Sequence, residues 1–380
     1  MKHMLVDGDT PFLPQEIVTN VLKRLPVKSL IRFQCVCKDW KNLIKTPSFI
    51  ADHLDHSTHQ NPSLLIQRMQ MNSLYLCLLD CKMQFREVEK APLINSLGCV
   101  RIIGSSNGLL CLADYMRYPP SPLLWNPAIR EVRQLPITID YFEGKCVLGF
   151  GFSPIINDYK IVRIYEITLV CQVEVYSLST GSWKGIELEN LKGVTLFTNA
   201  VTANGVMFWY GLKLSSIQNT YVIVSFDIAS EVFTVIPWPA LLSYSGKLAV
   251  YENKLAILSH SRVGNSQYSL LDLGVMEDGG IGSSGERWSS SKKYIRSSYS
   301  FKLLPGTLWW DQIVCIVFGL PGVSSEIEMA NDGAKVGLYL FNVTTNEVKR
   351  LPIPRPGLHV DVFNYVESLM PVGNIHIQES

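Results

Sequence analysis

Two hydrophobic periodicities divide the chain. Up to about residue 50, apolar residues recur at helical spacing; from residue 64 they form short runs separated by turn signals. Leu13-Pro14-Gln15-Glu16-Ile17 opens a helix, with Pro14 suited to the first turn and Glu16 favourable near the positive end of the dipole. Ile17, Val21, Leu22 and Leu25 then recur at helical intervals, and Pro26 ends the segment. A second segment carries Leu30, Phe33, Val36 and Cys37 on one stripe. A third, over 39–44, adds Trp40, Leu43 and Ile44 and closes at Pro47. Three short helices in about 40 residues are too few to bury this much apolar surface alone. Leu13, Pro14, Ile17, Leu25, Pro26 and Leu30 cluster at the first helix junction, so part of that cluster should face a partner. Burying five such side chains supplies roughly 8–15 kcal/mol gross, at about 1.5–3 each. Association entropy and side-chain ordering remove much of it.

Residues 51–63 are polar, with His53, His56 and His59 at every third position. They read as the exposed end of the third helix followed by a tether with solvated histidines. Imidazoles at that spacing can also hold a metal, but no cysteine stands beside them.

The remainder repeats. Turn-forming asparagines recur at Asn107-Gly108, Asn157-Asp158, Asn204-Gly205 and Asn253-Lys254, at intervals of 50, 47 and 49 residues. Asn and Gly tolerate the positive φ that tight hairpin turns need. Strands are expected after each, over 109–112, 159–165, 206–210 and 255–258. A second motif runs in step: LLWNPAIREVRQLP (123–136), VYSLSTGSWKGIEL (175–188), VSFDIASEVFTVIP (224–237) and LYLFNVTTNEVKRLP (338–352) are each strand, polar turn, strand. Trp125, Tyr176 and Phe226 hold equivalent places. Four strands in about 50 residues is the kelch-type propeller period. The expected class is α+β and multidomain, a small three-helix module followed by an all-β propeller of about six blades. A two-sheet β-sandwich is the alternative. One blade should combine 63–88 with 362–369 from the C-terminal end, covering edges that invite aggregation. The expected boundaries are 10–50 for the helical module, 51–63 for the linker, 64–372 for the propeller and 373–380 for a tail.

Charge narrows the partners. Lys plus Arg number 34 against 33 Asp plus Glu, so the whole chain is no electrostatic match for nucleic acid or an anionic membrane. Within 12–50 the balance differs: Lys23, Arg24, Lys28, Arg32, Lys38, Lys41 and Lys45 face only Glu16 and Asp39, a local +5. A helix-turn-helix DNA reader would need Asn, Gln and Arg clustered on the helix after the turn, and these are absent. The other reading from the residues alone is a helical cap packed on the propeller. The N-terminus, MKHMLVDGDTPF, lacks the apolar core of a secretory signal, and the longest apolar run, 313–320, is too short for a membrane span. Nine scattered cysteines then read as reduced thiols, and the expected compartment is cytoplasm, nucleus or both. Asn342-Val343-Thr344 matches a glycosylation pattern that a cytosolic chain would not use.

The run LPQEIVTNVLKRLPVKSLIRFQCVCKDWKNLIKTPSF resembles the F-box of plant F-box proteins. Leu13-Pro14, Ile17, Leu22, Leu25-Pro26-Val27-Lys28-Ser29-Leu30, Phe33, Val36-Cys37-Lys38, Trp40 and Phe49 carry the match; Asn20 departs from it, where the family often has an acidic residue. The resemblance implies docking on a Skp-family adaptor and, through it, a cullin and a RING subunit, in an SCF ubiquitin ligase. The implied adaptor-binding residues are Leu13, Pro14, Ile17, Leu22, Leu25, Pro26, Leu30, Val36, Cys37 and Trp40. IGSSNGLLCLAD, LLWNPAIREVRQLP, LGFGFSPIINDYKIVRIY and VEVYSLSTGSWK resemble the F-box-associated domain of the same proteins, a group that includes kelch-type and S-locus F-box members. The Gly/Ser-rich stretch 277–291 is longer than that family's turn.

The sequence carries no complete catalytic motif. Gly280-Ile281-Gly282-Ser283-Ser284-Gly285 fits G-x-G-x-x-G, but no helix pattern follows it. There is no Walker A loop, no G-x-S-x-G and no H-E-x-x-H. Cys35-x-Cys37 is placed on a helix, and Cys77 and Cys81 lack the second pair a zinc site needs. The expectation is a non-enzyme without metal or cofactor: the target-recognition subunit of an SCF-type ligase, with a non-ligase F-box scaffold as the alternative. A metal-dependent catalytic propeller would need Tyr, His and Cys ligands in a recognisable set. If each blade's strands are a to d, Asn turns join a to b and polar turns join c to d on one face. The longer b–c and d–a connections, 114–122, 213–220, 259–267 and 321–335 among them, then share the other face. Loops over a rigid scaffold are where binding residues concentrate. The expected target contacts are Tyr115, Arg117, Tyr118, Lys213, Arg262, Glu326 and Glu328, with Tyr and Arg as anchors.

Overall fold

The computed structural model describes residues 13–373 except 71–72, 118, 139–143, 168–169, 187–190, 198, 241, 243–245, 263–267, 278–287, 297–300, 311, 320–335, 343, 346 and 352–358. Four helices come first: α1 Gln15–Leu22, α2 Val27–Phe33, α3 Lys38–Ile44 and α4 Pro47–Gln60. Each boundary has a local cause. Pro14 and Pro26 take extended ψ at the N-caps of α1 and α2. Cys37 caps α3, its Sγ accepting from the Trp40 amide at 3.4 Å. Thr46 Oγ1 accepts from the Phe49 amide at 3.3 Å and caps α4.

This corrects three expectations. Pro47 opens a helix and does not close one; it stands at the first position, where its missing N–H costs nothing. The segment 51–63 is therefore mostly the fourth helix, not a tether. Cys37 lies at a helix start, outside the helix body, with an exposed side chain.

The strands form six four-stranded blades, mostly antiparallel hairpins in sequence order. Blade 2 is Val100–Ser106, Leu109–Asp114, Ser121–Asn126 and Glu131–Gln134. Blade 3 is Lys145–Ser153, Asp158–Ile167, Val170–Ser177 and Ser182–Ile186. In blade 4 the innermost strand is split into Val194–Leu196 and Val201–Ala203, ahead of Val206–Lys213, Thr220–Asp227 and Val232–Pro237. Blade 5 is Lys247–Tyr251, Lys254–Arg262, Tyr268–Met276 and Trp288–Arg296. Blade 6 is Phe301–Trp309, Gln312–Gly319, Val336–Asn342 and Val348–Leu351. Blade 1 joins the two ends of the domain: His359–Tyr365 is its inner strand, paired antiparallel with Ser63–Gln70, followed by Ser73–Leu79 and Phe85–Glu87. The closing strand falls at 359–365, a few residues before the expected 362–369. The inner strands of blades 6, 1 and 2 touch in turn, which closes the ring. The period, the blade count and closure from both ends match the sequence reading, and the β-sandwich is set aside.

The turns repeat in their dihedrals as well as their residues. Asn107, Asn157, Asn204 and Asn253 have φ of 50°, 49°, 47° and 59°. That region crowds Cβ against the carbonyl at about 1–2 kcal/mol, and the short amide side chain of Asn tolerates it best. On the c–d turns, Asn126, Asp227 and Asn342 each accept from backbone amides two or three residues on, at 2.7–3.0 Å. Asn342 of the glycosylation-like triplet is thus a turn former. Behind the turns, Trp125, Tyr176 and Phe226 are all buried between neighbouring blades. Leu65, Leu76 and Leu78 of blade 1 pack with Leu110, Leu112 and Trp125 of blade 2. Trp209 of blade 4 packs on blade 3 and donates its Nε1–H to the Leu148 carbonyl at 3.2 Å. Blades 3 and 4 are also clamped by charge: Glu231 accepts from Lys160 and Lys184, each at 2.7 Å. Burial alone would raise the Glu231 carboxyl's pKa, but the two ammonium groups hold it below its ordinary value.

Residues 366–373 leave the ring and run beneath the helices. Asn126 Nδ2 donates to the carbonyls of Ser368 and Met370 at 3.0 and 2.8 Å, and Glu131 accepts from the Val372 amide at 3.0 Å. Leu369 is then buried among Leu22, Val27, Leu30, Ile44, Phe49 and Ile50. The helical module is thus docked on the face that carries the a–b and c–d turns, with Ala128 and Ile129 at its margin.

Candidate functional site

Helix α1 has two apolar stripes with opposite fates. Val18, Leu22 and Leu25 face the helical core. Ile17 and Val21, four residues apart and so on one face of the helix, are 47% and 52% exposed, and Leu13, in the extended residues just before it, is 63% exposed. Ile31 on α2 and Val36 after it are also exposed. Five large apolar side chains within 24 residues therefore stand in water, in a module that also carries exposed Pro14, Pro26, Cys35 and Cys37. An exposed apolar patch of this kind marks an interaction surface.

The expected adaptor contacts divide accordingly. Leu13, Pro14, Ile17, Pro26, Val36 and Cys37 are exposed, and Leu25 and Trp40 are half-buried. Leu22 and Leu30, at 1% and 0% exposure, are corrected: both hold the module together around Leu369 and present nothing to a partner. Val21 and Ile31 were missed as surface residues. For Val21 the signal was present, since it follows Ile17 by one helical turn. Trp40 packs on Phe33 with ring centroids 5.6 Å apart.

The three histidines separate as well. His53 is buried; its Nε2 lies 3.0 Å from the Leu25 carbonyl, while Nδ1 is buried with no hydrogen-bond partner among the described residues. Burial is the main cause that lowers its pKa, with the Leu25 bond opposing. His59 is solvated and His56 half-buried. The expectation of three solvated imidazoles fails at His53 because α4 continues past residue 50 and turns that face inward. Among the described residues, no group of three His, Cys, Asp or Glu is placed to hold a metal ion.

The opposite face carries the b–c and d–a connections. Tyr115 opens the 115–120 connection, half-buried, with the Arg101 guanidinium 5.6 Å over its ring. Burial raises its hydroxyl's pKa, and a hydrogen bond with Asn199 opposes. It braces the loop base, whereas Arg117 is exposed. Lys213 is exposed at the end of its strand, next to exposed Leu214 and Ile217. Arg262 ends a strand of blade 5, but its side chain lies outside the described residues, as do Tyr118, Glu326 and Glu328. The structure therefore brings Tyr115, Arg117 and Lys213 to one face. Of the stretch 277–291, residues 288–291 belong to a strand and 278–287 lie outside the described residues. The G-x-G-x-x-G run lies outside the described residues; the strands on either side of it, Tyr268–Met276 and Trp288–Arg296, are antiparallel partners.

One surface aromatic escaped the sequence reading. Trp310 sits at φ 52° in the a–b turn of blade 6, where blades 2 to 5 have Asn. It is half-exposed and stacked on Trp309 at 5.2 Å. The asparagine repeat could not reveal it, because the backbone angle persisted while the residue changed.

With this geometry in view, the comparisons with known proteins are direct. Residues 11–52 match the F-box domain and residues 63–355 match the F-box associated beta propeller domain. The chain belongs to the family of F-box proteins that carry an F-box associated β-propeller domain. Among its relatives, the F-box protein CPR1 of Arabidopsis thaliana is 29% identical over 253 residues, covering 60% of each chain. The Arabidopsis thaliana F-box/kelch-repeat protein At3g23880 is 27% identical, covering 60% of this chain and 65% of that one. The chain thus aligns with somewhat under two thirds of the length of these relatives. A third Arabidopsis thaliana sequence named for an F-box, At5g52610, is 28% identical over 94% of this chain and 99% of its own. Among solved structures, TolB from Acinetobacter baumannii superposes over 84% of this chain and 73% of its own, with a TM-score of 0.46 and 13% identity.

Proposed function

We propose that the protein is the substrate-recognition subunit of an SCF-type ubiquitin ligase, catalysing nothing itself. The helical module docks a Skp-family adaptor, the cullin and RING subunit follow through that adaptor, and the propeller holds a target protein. The observation that carries this reading is the outer stripe of α1. Ile17 and Val21 on the helix and Leu13 just before it are exposed, although the helix has a separate inner stripe. Burying three such side chains contributes roughly 5–9 kcal/mol gross, at about 1.5–3 each. The propeller's role is proximity: it fixes a bound target relative to the adaptor. The module is held on the turn-bearing face by Leu369, so the loop-bearing face points away from it and is free for a target.

The test is capture of a plant Skp-family adaptor by the full chain and by a Leu13→Ala, Ile17→Ala, Val21→Ala variant. Because all three side chains are exposed, the variant should fold; strand and helix content is checked by circular dichroism. Loss of capture with folding intact supports the reading. Equal capture by both, or by neither, removes it. A non-ligase scaffold would capture the adaptor without ubiquitylation of any co-purified protein when cullin and RING subunit are supplied.

A further inference from the structure

The central channel has two chemically distinct ends. In blades 2 to 6 each inner strand runs from a d–a connection on the loop-bearing face to an a–b turn on the face that carries the helices, and in blade 1 it runs towards that same face into the 366–373 segment. Basic residues begin those strands. Arg101 is second in Val100–Ser106, Lys145 is first in Lys145–Ser153, and Lys247 is first in Lys247–Tyr251. By sequence position Lys302 is second in the corresponding strand of blade 6. The cations therefore stand at the mouth remote from the helical module, on three different blades at least.

Beneath them lies a cavity of ≈ 500 Å3 between the inner strands. That is within the range of about 300–1,000 Å3 in which ligand sites fall. Lys247, Ile102, Phe150, Val201 and Asp361 are among its walls. Two inner strands are bulged where they line it, at Ile103 and at Gly306. Bulges cluster next to functional sites, where they re-aim side chains or end a pairing. Gln67, buried at one wall, accepts from the Ile102 amide at 2.6 Å and donates to Asp361 at 3.4 Å, which fixes the bulge beside the charge.

Arg101, Lys145 and Lys247 are all exposed, and none belongs to an ion pair among the described residues. Arg101 rests over the Tyr115 ring, 5.6 Å from its centroid. Lys145 is the most engaged, donating to the Leu196 carbonyl and lying 5.1 Å from the Phe197 ring. Two carboxylates share this end. Glu166 faces Lys145 across the strand pair and accepts from the Leu196 amide at 2.6 Å; Asp361 is held by Gln67. Lys247 is reachable by solvent yet walled in by the inner strands, and that burial lowers its ammonium's pKa, with Asp361 opposing. A group in this position gains from an added anion.

We propose that the remote mouth of the central channel binds an acidic, extended segment of the target protein, with Lys247 and Arg101 as its principal contacts and Lys145 at the rim. The inference deepens the reading that this face captures a target and rests on it. A nucleic acid is disfavoured because the cations ring one opening and form no track along which phosphates could lie. A peptide suits the site because its carboxylates can reach several blades while apolar side chains meet Ile102, Phe150 and Val201 in the cavity.

The experiment is fluorescence anisotropy of the full chain with fluorescein-labelled hexaglutamate, with hexalysine as the control. Hexaglutamate should bind, and hexalysine should not. The Arg101→Glu, Lys247→Glu pair should weaken binding by about tenfold or more. Lys247→Met, which keeps the stem and so tests the charge in a fold-safe background, should weaken it by a smaller factor. Lys349→Glu on the outer strand of blade 6 should leave it within about twofold, and salt should weaken all binding. No binding of hexaglutamate, or a double variant within about twofold of the parent, overturns the proposal. Complete displacement by millimolar inorganic phosphate also overturns it in favour of a small-anion site. Adaptor capture is measured on the same variants. If it is absent while hexaglutamate still binds, the ligase reading fails and the channel site stands.

Discussion

The helical module and the propeller solve the burial problem in opposite ways. The propeller repeats one unit until its ends meet, so each blade's apolar faces are covered by its neighbours and the last is covered by the first. The module has no such closure. Its core of Leu22, Val27, Leu30, Ile44, Phe49 and Ile50 is finished by Leu369, a residue far away in sequence, and its outer stripe is left in water. Self-sufficiency in one region and incompleteness in the other is what separates a scaffold from a docking element. The incomplete one is completed from inside by the C-terminal segment and, on the proposed function, from outside by a partner.

That contrast can be broken at several points. The largest effect is expected from Trp125→Ala, which empties a site between blades 1 and 2 and should cost about 3–5 kcal/mol in thermal or denaturant unfolding of the propeller. Leu369→Ala should cost about 2–5 kcal/mol, but only in the helices. Hydrogen exchange should show α1 to α4 losing protection while the blades keep theirs; equal loss in both would mean the module is not a separate unit of stability. A smaller effect, about 1–2 kcal/mol, is expected from Asn157→Ala, where φ is 49°, with Asn157→Gly close to neutral.

Acid should act on the module through His53. Its folded pKa lies below the ordinary 6.5 because burial disfavours the charged ring. The unfolded chain then binds the proton more readily, so stability is complete above pH 6.5 and falls as pH drops through that value towards the folded pKa. Melting of the helices between pH 7.5 and 5.5 should show that slope, and His53→Gln should flatten it. The smallest effect on stability, within about 0.5 kcal/mol, is expected for Leu13→Ala or Val21→Ala, because these side chains are already in water. Their expected effect is on adaptor binding alone.

The propeller was legible because its signal is repeated. Asn107, Asn157, Asn204 and Asn253 each report the same backbone angle, and four weak turn signals at a constant interval amount to a strong one. The helical module was legible in composition but not in sidedness. Ile17, Val21, Leu22 and Leu25 all look apolar and helical; only the position of Leu369 decides that Leu22 turns in and Val21 turns out. No local pattern contains that contact, since it spans most of the chain. The fourth helix was hidden for a different reason. Its outer face is polar enough to read as linker, while Phe49, Ile50 and His53 form a narrow inner stripe. The loop-bearing face was legible as a set of loops, because hairpin topology fixes which connections lie together. The basic starts of the inner strands were not, since each is one residue per blade and only the ring brings them to a common opening.

The most direct test of the central claim is hydrogen exchange of the full chain, alone and with a plant Skp-family adaptor. The account predicts slower exchange in α1 and α2, around Ile17, Val21 and Ile31, with the six blades and the remote loops unchanged. Unchanged exchange in those helices, or protection centred on the loop-bearing face, would contradict it.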